Sequence, residues 1–136
     1  MKTTEHRFDD LIVVDPQFDD YEPLFEELGL SELRVKQFST GEDALRATDR
    51  CSSTLWLMNI ELPDMPGTGL LTLVRRRWRR CSVFLVGNAY SAEDELAARL
   101  AGATAYVCKP ACAEWLEGCW RRIRSPAIRA GPVPFS

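Results

Sequence analysis

The chain has one histidine, His6, and its five cysteines, at positions 51, 81, 108, 112 and 119, contain no C-x-x-C pair. A zinc centre needs clustered His and Cys ligands, so no metal site is expected. The cysteines are expected to be free thiols that pack as small hydrophobes. No apolar run approaches the roughly 18 residues of a membrane span. Met1 to Asp10 is polar and acidic, without the apolar core of a signal peptide, and this implies a cytoplasmic protein with no membrane partner. No G-x-G-x-x-G follows the first apolar run, which removes a dinucleotide-binding enzyme. A net charge of −3 gives no reason to expect nucleic acid as a partner.

What is present is ordinary in amount and informative in order. With 136 residues and 46% hydrophobic content, the chain can bury one domain's core without staples. Leu11-Ile-Val-Val14 is a short, β-branched run of the kind that is buried on both faces of a parallel sheet. Tyr21, Leu24, Phe25 and Leu28 fall at i, i+3, i+4 and i+7 and predict a helix. Pro23 fits only its first turn, so the helix should start near Asp20 or Tyr21. Further strands are expected at Leu33–Phe38, Thr54–Met58, Ser82–Val86 and Thr104–Val107. Helices are expected after Thr40, around Leu70, Leu71, Val74 and Trp78, and after the N-cap Ser91 with Leu96, Ala97 and Leu100 on its apolar side. A last helix should bury Cys112, Leu116, Cys119 and Ile123, with Trp115 and Trp120 on its flanks. Five strands alternating with five helices predict an α/β, doubly wound parallel sheet of order 2-1-3-4-5, a flavodoxin-like sandwich. The expected boundaries are an N-terminal segment at 1–10, a domain at 11–124 and a loose, proline-containing tail at 125–136.

In such a sheet, chemistry collects at the carboxyl ends of the strands. There the chain places Asp15-Pro16, Asn59, Gly87-Asn88 and Lys109. Four segments carry a family resemblance: Leu11-Ile-Val-Val-Asp15, Gly41-Glu-Asp-Ala-Leu45, Asn59-Ile-Glu-Leu-Pro-Asp-Met-Pro-Gly67 and Ala101-Gly-Ala-Thr-Ala-Tyr-Val-Cys-Lys-Pro110. In this order and spacing they resemble the receiver domain of two-component response regulators, from about Leu11 to Arg124.

The resemblance implies a phosphorylation pocket and shows where this chain departs from it. In the family, an aspartate after strand three accepts a phosphoryl group and an acidic pair after strand one holds Mg²⁺. A Ser or Thr after strand four and a lysine after strand five contact the phosphoryl. The cation and the lysine are needed because a carboxylate attacking a phosphoryl group brings like charges together. Here the acceptor position is Asn59, whose neutral carboxamide cannot form the acyl phosphate. The acidic pair is reduced to Asp15 followed by Pro16, although Asp19 and Asp20 lie close enough in sequence to approach. The hydroxyl position matches Gly87, or Asn88 with a one-residue shift, and only Lys109 and one acid survive. The expectation is a non-enzymatic pseudo-receiver without cofactor. Asn59 would be either a stand-in that fixes one state or a filler left by drift, and its amide is expected to bond Lys109. Lys109 is also expected to pair with Asp15.

The resemblance further implies a protein partner, or a second copy, on the face of helix four, strand five and helix five. Glu93, Arg99, Tyr106 and Trp115 are the candidate contacts. Tyr106 would be either locked inward over Gly87 or turned outward. Two alternatives stand beside this reading: a vacated pocket that takes a small anion at Lys109, and a residual phosphoacceptor such as Asp64. The run Arg75-Arg76-Arg77-Trp78-Arg79-Arg80 is read as a solvated helix end whose cations suit the dipole, with Trp78 packing inward.

Overall fold

The computed structural model describes residues 10–28, 34–48 and 54–116. Five parallel strands run β1 (Asp10–Val14), β2 (Arg34–Phe38), β3 (Thr54–Asn59), β4 (Ser82–Gly87) and β5 (Ala105–Cys108). Their order is β2-β1-β3-β4-β5, as the alternating pattern predicts. The helices are α1 (Glu22–Leu28), α2 (Gly41–Ala47), α3 (Gly67–Arg77) and α4 (Ala92–Ala101), and a short 3-10 helix, Phe18–Tyr21, precedes α1. The chain is helical again at 114–116, the first turn of the expected fifth helix. Most of the expected segment 1–10 and all of the tail 125–136 lie outside the described residues, as do Leu33, Cys119, Trp120 and Ile123. Asp10 itself opens β1 instead of ending a separate segment.

Side chains alternate across the sheet with period two. Leu11, Val13, Leu55, Leu57, Phe84, Val86 and Val107 face Tyr21, Leu24, Trp115 and Leu116 on one side. Ile12, Val14, Trp56, Met58, Val83, Leu85 and Tyr106 face Ala44, Leu70, Leu71, Val74 and Ala98 on the other. Each fully buried aliphatic contributes on the order of 1.5–3 kcal/mol by leaving water. β3 is buried at every position, so it is the centre of the sheet.

Several local readings change. α4 turns Leu96 and Leu100 outward, 56% and 78% exposed, and buries Ala98 instead. The helix sits on the sheet through a small residue, and that allows close approach. Trp115 is not on a flank: it is 5% exposed, with its ring 6.4 Å from that of Tyr21 in an edge arrangement. The inner face of the chain leading into the last helix is Ala111, Trp115 and Leu116, while Cys112 is only half-buried. Cys81 is disulfide-bonded, which corrects the expectation of free thiols, whereas Cys108 and Cys112 are free.

The arginine run is partly structural. Arg75 donates to the carbonyls of Cys81 and Gly102, the latter at 2.8 Å, and Arg77 donates to the Leu45 carbonyl at 3.1 Å. Trp78 packs inward as expected, its ring 6.1 Å from that of Trp56.

Candidate functional site

Because all five strands are parallel, residues that follow them collect at one edge. Asp15 follows β1, Asn59 ends β3, Gly87 ends β4 with Asn88 beyond it, and Lys109 follows β5. Asp15 and Asn59 are 1% and 2% exposed. A carboxylate that deeply buried must be both paired and hydrogen-bonded.

It is. Asp15 Oδ1 accepts from the Gln17 N–H at 2.9 Å. Its Oδ2 accepts from the Tyr21 hydroxyl at 2.7 Å and from Asn59 Nδ2 at 2.8 Å, and it pairs with Lys109 Nζ at 2.9 Å. Asn59 Nδ2 also donates to Asn88 Oδ1 at 2.9 Å, and Asn59 Oδ1 accepts from the Glu61 N–H at 2.8 Å. Lys109 Nζ reaches a second carboxylate, Asp20 Oδ2, at 2.7 Å and stands 5.4 Å from the Tyr21 ring centroid. Pro16 is exposed and adds no side-chain oxygen.

The expected Asp15–Lys109 ion pair is therefore present, but the expected Asn59–Lys109 bond is not. An ammonium between two carboxylates gains more than one beside a neutral amide, and Asn59 spends its amide on Asp15 and Asn88. Charges are set accordingly. Burial by itself would lower the Lys109 pKa, but hydrogen bonds to Asp20 and Asp15 outweigh it and hold the ammonium above its ordinary value. Burial, with the Asp15 charge beside it, pushes the Tyr21 phenol well above its ordinary value, so it remains a donor.

Gly87 is explained by its neighbour. A Cβ there would lie 2.6 Å from the Tyr106 hydroxyl oxygen and 3.0 Å from the Ala89 carbonyl. Tyr106 is turned inward, 8% exposed, into the space that a side chain at 87 would need. Its hydroxyl accepts from the Ser91 N–H at 3.3 Å and lies 3.5 Å from the Ala89 carbonyl. Of the two orientations open in the sequence, the inward one is occupied. Of the four candidate contact residues, Glu93 and Arg99 are exposed, whereas Tyr106 and Trp115 are largely buried and show only an edge to a groove they line with Pro110 and Cys112.

Asp64, the residual acceptor candidate, is committed elsewhere. Its carboxylate accepts from the N–H groups of Gly41 and Glu42, both at 3.0 Å, and so caps α2. Burial works against that charge, but backbone hydrogen bonds from Glu42, Gly41 and its own N–H hold its pKa below the ordinary value. The crevice opens outward as a cleft of about 740 Å³ between Gln17, Asp19, Asp20, Asn88 and Lys109.

Sequence reasoning missed Tyr21, whose hydroxyl reaches the crevice although the residue was read only as a helix-face aromatic. The signal was Asp-Asp-Tyr just before Pro23: a late helix start leaves a tight turn there, and that turn aims Asp20 and Tyr21 back at the strand ends.

A parallel 2-1-3-4-5 sheet with flanking helices, and with an acid, a strand-three polar residue and a lysine at its carboxyl edge, is a flavodoxin-like α/β fold of the CheY type. The chain belongs to the response regulator receiver domain family, whose profile matches residues 5–118. No curated protein sequence matches it. Among solved structures it is similar to the Thermotoga maritima response regulator DrrB, at 27% identity and a TM-score of 0.71. That likeness covers 90% of this chain and 55% of DrrB, so the chain spans little more than half of that protein. The beryllofluoride-activated DrrB receiver domain matches at 27% identity and a TM-score of 0.70, over 86% of this chain and 95% of that one. The Vibrio cholerae chemotaxis regulator CheY4 matches at 19% identity and a TM-score of 0.70, over 85% and 98%, a likeness of fold alone.

The family implies a Mg²⁺ ion at this edge, and the residues present do not fit one. Mg²⁺ demands near-octahedral oxygen ligands. Here Asp15 Oδ2 is already ringed by Tyr21, Asn59 and Lys109 donors, and the amide oxygen of Asn59 is held by Glu61. Among the described residues no group of three or more His, Cys, Asp or Glu side chains is placed to hold a metal ion. No described helix is long and apolar enough to cross a membrane.

Proposed function

We propose that this receiver domain is a pseudo-receiver: a non-catalytic module of two-component-type signalling that works without phosphorylation, through contact with another protein. The observation that carries this reading is the bonding of Asn59. At the acceptor position stands an amide whose nitrogen is donated to Asp15 and Asn88 and whose oxygen is held by Glu61. The nitrogen lone pair is delocalised into the carbonyl, so no atom there attacks phosphorus. Gly87 and Pro16 remove the hydroxyl and the second acid as well.

Receiver domains act by binding proteins, and α4 offers a surface suited to that. Tyr90, Leu96 and Leu100 are 63%, 56% and 78% exposed, with Glu93 and Arg99 on the same helix. Contiguous exposed apolar side chains rimmed by polar groups mark contact sites, and Leu96 and Leu100 fall one turn apart on α4 beside its charges. The small-anion alternative has less support. Lys109 is already shared by two carboxylates, and Asp19 lines the same cleft, so the mouth is acidic.

The test is incubation of the chain with acetyl phosphate and Mg²⁺, followed by intact-mass measurement. The mass should be unchanged, and a labile phosphoryl adduct would refute the reading. Replacement of Leu96 and Leu100 by Glu should abolish binding to the physiological partner once that partner is known, whatever the phosphorylation conditions.

A further inference from the structure

We propose that Lys109, with Tyr21 and Asn59 as co-donors, permanently takes the structural place of the family's divalent cation, so that the crevice is a self-neutralised clasp closed to metal ions. The inference deepens the pseudo-receiver reading and rests on the same crevice, but it makes a separate claim about what neutralises Asp15.

The argument begins with charge. A carboxylate that is 1% exposed requires a counter-charge close by. In the family a metal ion joins the lysine in supplying it, and here Lys109 Nζ stands 2.9 Å from Asp15 Oδ2. Nζ also lies 2.7 Å from Asp20 Oδ2, so one point in space is within reach of carboxylates from two elements, as a bound cation would be. The 3-10 helix Phe18–Tyr21 makes this possible, because it delivers both Asp20 and the Tyr21 hydroxyl to the crevice.

Hydrogen-bond direction excludes a second cation. The Asn59 amide has two acceptors at its nitrogen, Asp15 and Asn88, and one donor at its oxygen, Glu61 N–H. The flipped amide would set oxygen against both acceptors and nitrogen against a donor, so the network fixes the observed orientation. Three donors therefore point at Asp15 Oδ2, from Tyr21, Asn59 and Lys109, and the Gln17 N–H points at Oδ1. A divalent ion would have to displace an ammonium and turn Asn59 against its neighbours.

Removal of Lys109 should uncover the site. In Lys109→Met, Asp15 and Asp20 face a common point with no cation between them, and a divalent ion that accepts flexible oxygen geometry then has only the Tyr21 and Asn59 donors, and no ammonium, to displace.

The experiment is a Mn²⁺ titration of the full chain, read by electron paramagnetic resonance and competed with Mg²⁺. The wild type should bind no Mn²⁺ into the millimolar range, and Lys109→Met should bind at least about ten-fold tighter. Because that variant risks misfolding, a second readout uses the wild type alone. The chain has three lysines, Lys2, Lys36 and Lys109, so ¹⁵N-lysine NMR resolves their ammonium groups. Lys109 should show a slowly exchanging ammonium signal that Mg²⁺ does not move. Specific wild-type Mn²⁺ or Mg²⁺ binding, a Lys109 signal shifted by Mg²⁺, or a folded Lys109→Met that gains no affinity would each overturn the clasp. Wild-type metal binding would overturn the clasp but would leave Asn59 without a phosphoryl-accepting atom, whereas labelling by acetyl phosphate would overturn the pseudo-receiver reading, so the two claims fail separately.

Discussion

Asn59 is, on the proposed reading, a working part of the crevice and not drift. Its amide donates to a buried carboxylate 2.8 Å away, and an aspartate there could not do so. Asn59→Asp would set two carboxylates against each other, raising the folded-state pKa of the introduced carboxyl above its unfolded value near 4. A raised carboxyl costs stability as pH climbs through that unfolded value. The variant should therefore lose roughly 3 kcal/mol at neutral pH. It should converge on the wild type below about pH 4, as urea denaturation at several pH values would show. Lys109 has the opposite dependence. Its folded pKa is raised, so its contribution is fully present below the unfolded value of about 10.4 and is lost as pH rises through the folded one. The stability gap between wild type and Lys109→Met should stay constant through neutral pH and narrow only in strong alkali. Gly87 belongs with these residues. Gly87→Ser would place an atom 2.6 Å from the Tyr106 hydroxyl oxygen, so Tyr106 must leave. The cost should be about 1–3 kcal/mol, with the Tyr106 ring newly exposed to solvent as judged by NMR.

At the scale of elements, α2 depends on a residue far away in sequence. The Asp64 carboxylate bonds the Gly41 and Glu42 N–H groups, and Thr40 Oγ1 accepts from Asp43 N–H at 3.1 Å. Asp64→Ala should cost about 1 kcal/mol, the usual value of a helix cap. Because the Asp64 pKa is lowered on folding, that contribution is present above its ordinary value and disappears as pH falls through the folded one. Strands were legible in the sequence because buried parallel strands must be continuous apolar runs; strand–helix alternation made the sheet parallel, and 2-1-3-4-5 was the natural choice among doubly wound orders. α4 was misread for a physical reason. Leu96, Ala97 and Leu100 suggest an apolar stripe, yet the buried contact is made by Ala98, whose small size draws no attention in a sequence. Trp115 was misplaced because Cys112 and Leu116 suggested the buried arc, and of that pair Leu116 is buried, with Trp115 beside it, while Cys112 is only half-buried. The crevice was legible in its membership and not in its wiring. Strand ends located Asp15, Asn59 and Lys109, but the approach of Tyr21 depends on a 3-10 turn whose aim only the folded chain reveals.

For the whole molecule, the described residues keep the sheet and its two apolar faces, and Asp15, Asn59 and Asp20 with Lys109 bond β1, β3, β5 and the 3-10 helix to one another at the edge. Under the proposed reading the scaffold presents one surface continuously, and among the described residues Leu96 and Leu100 are exposed large apolar side chains on it. Leu100→Glu should change stability by less than about 0.5 kcal/mol, because it alters no buried contact. A loss of partner binding in that variant would therefore report on the surface itself. The central claim, that the fold holds one state regardless of phosphorylation chemistry, is tested most directly by a ¹H–¹⁵N NMR spectrum recorded before and after addition of beryllofluoride, a phosphoryl mimic, with Mg²⁺. The account predicts that the resonances of Asp15, Asn59, Asn88 and Tyr106 do not move. Saturable shifts at these positions that spread to α4 would contradict it.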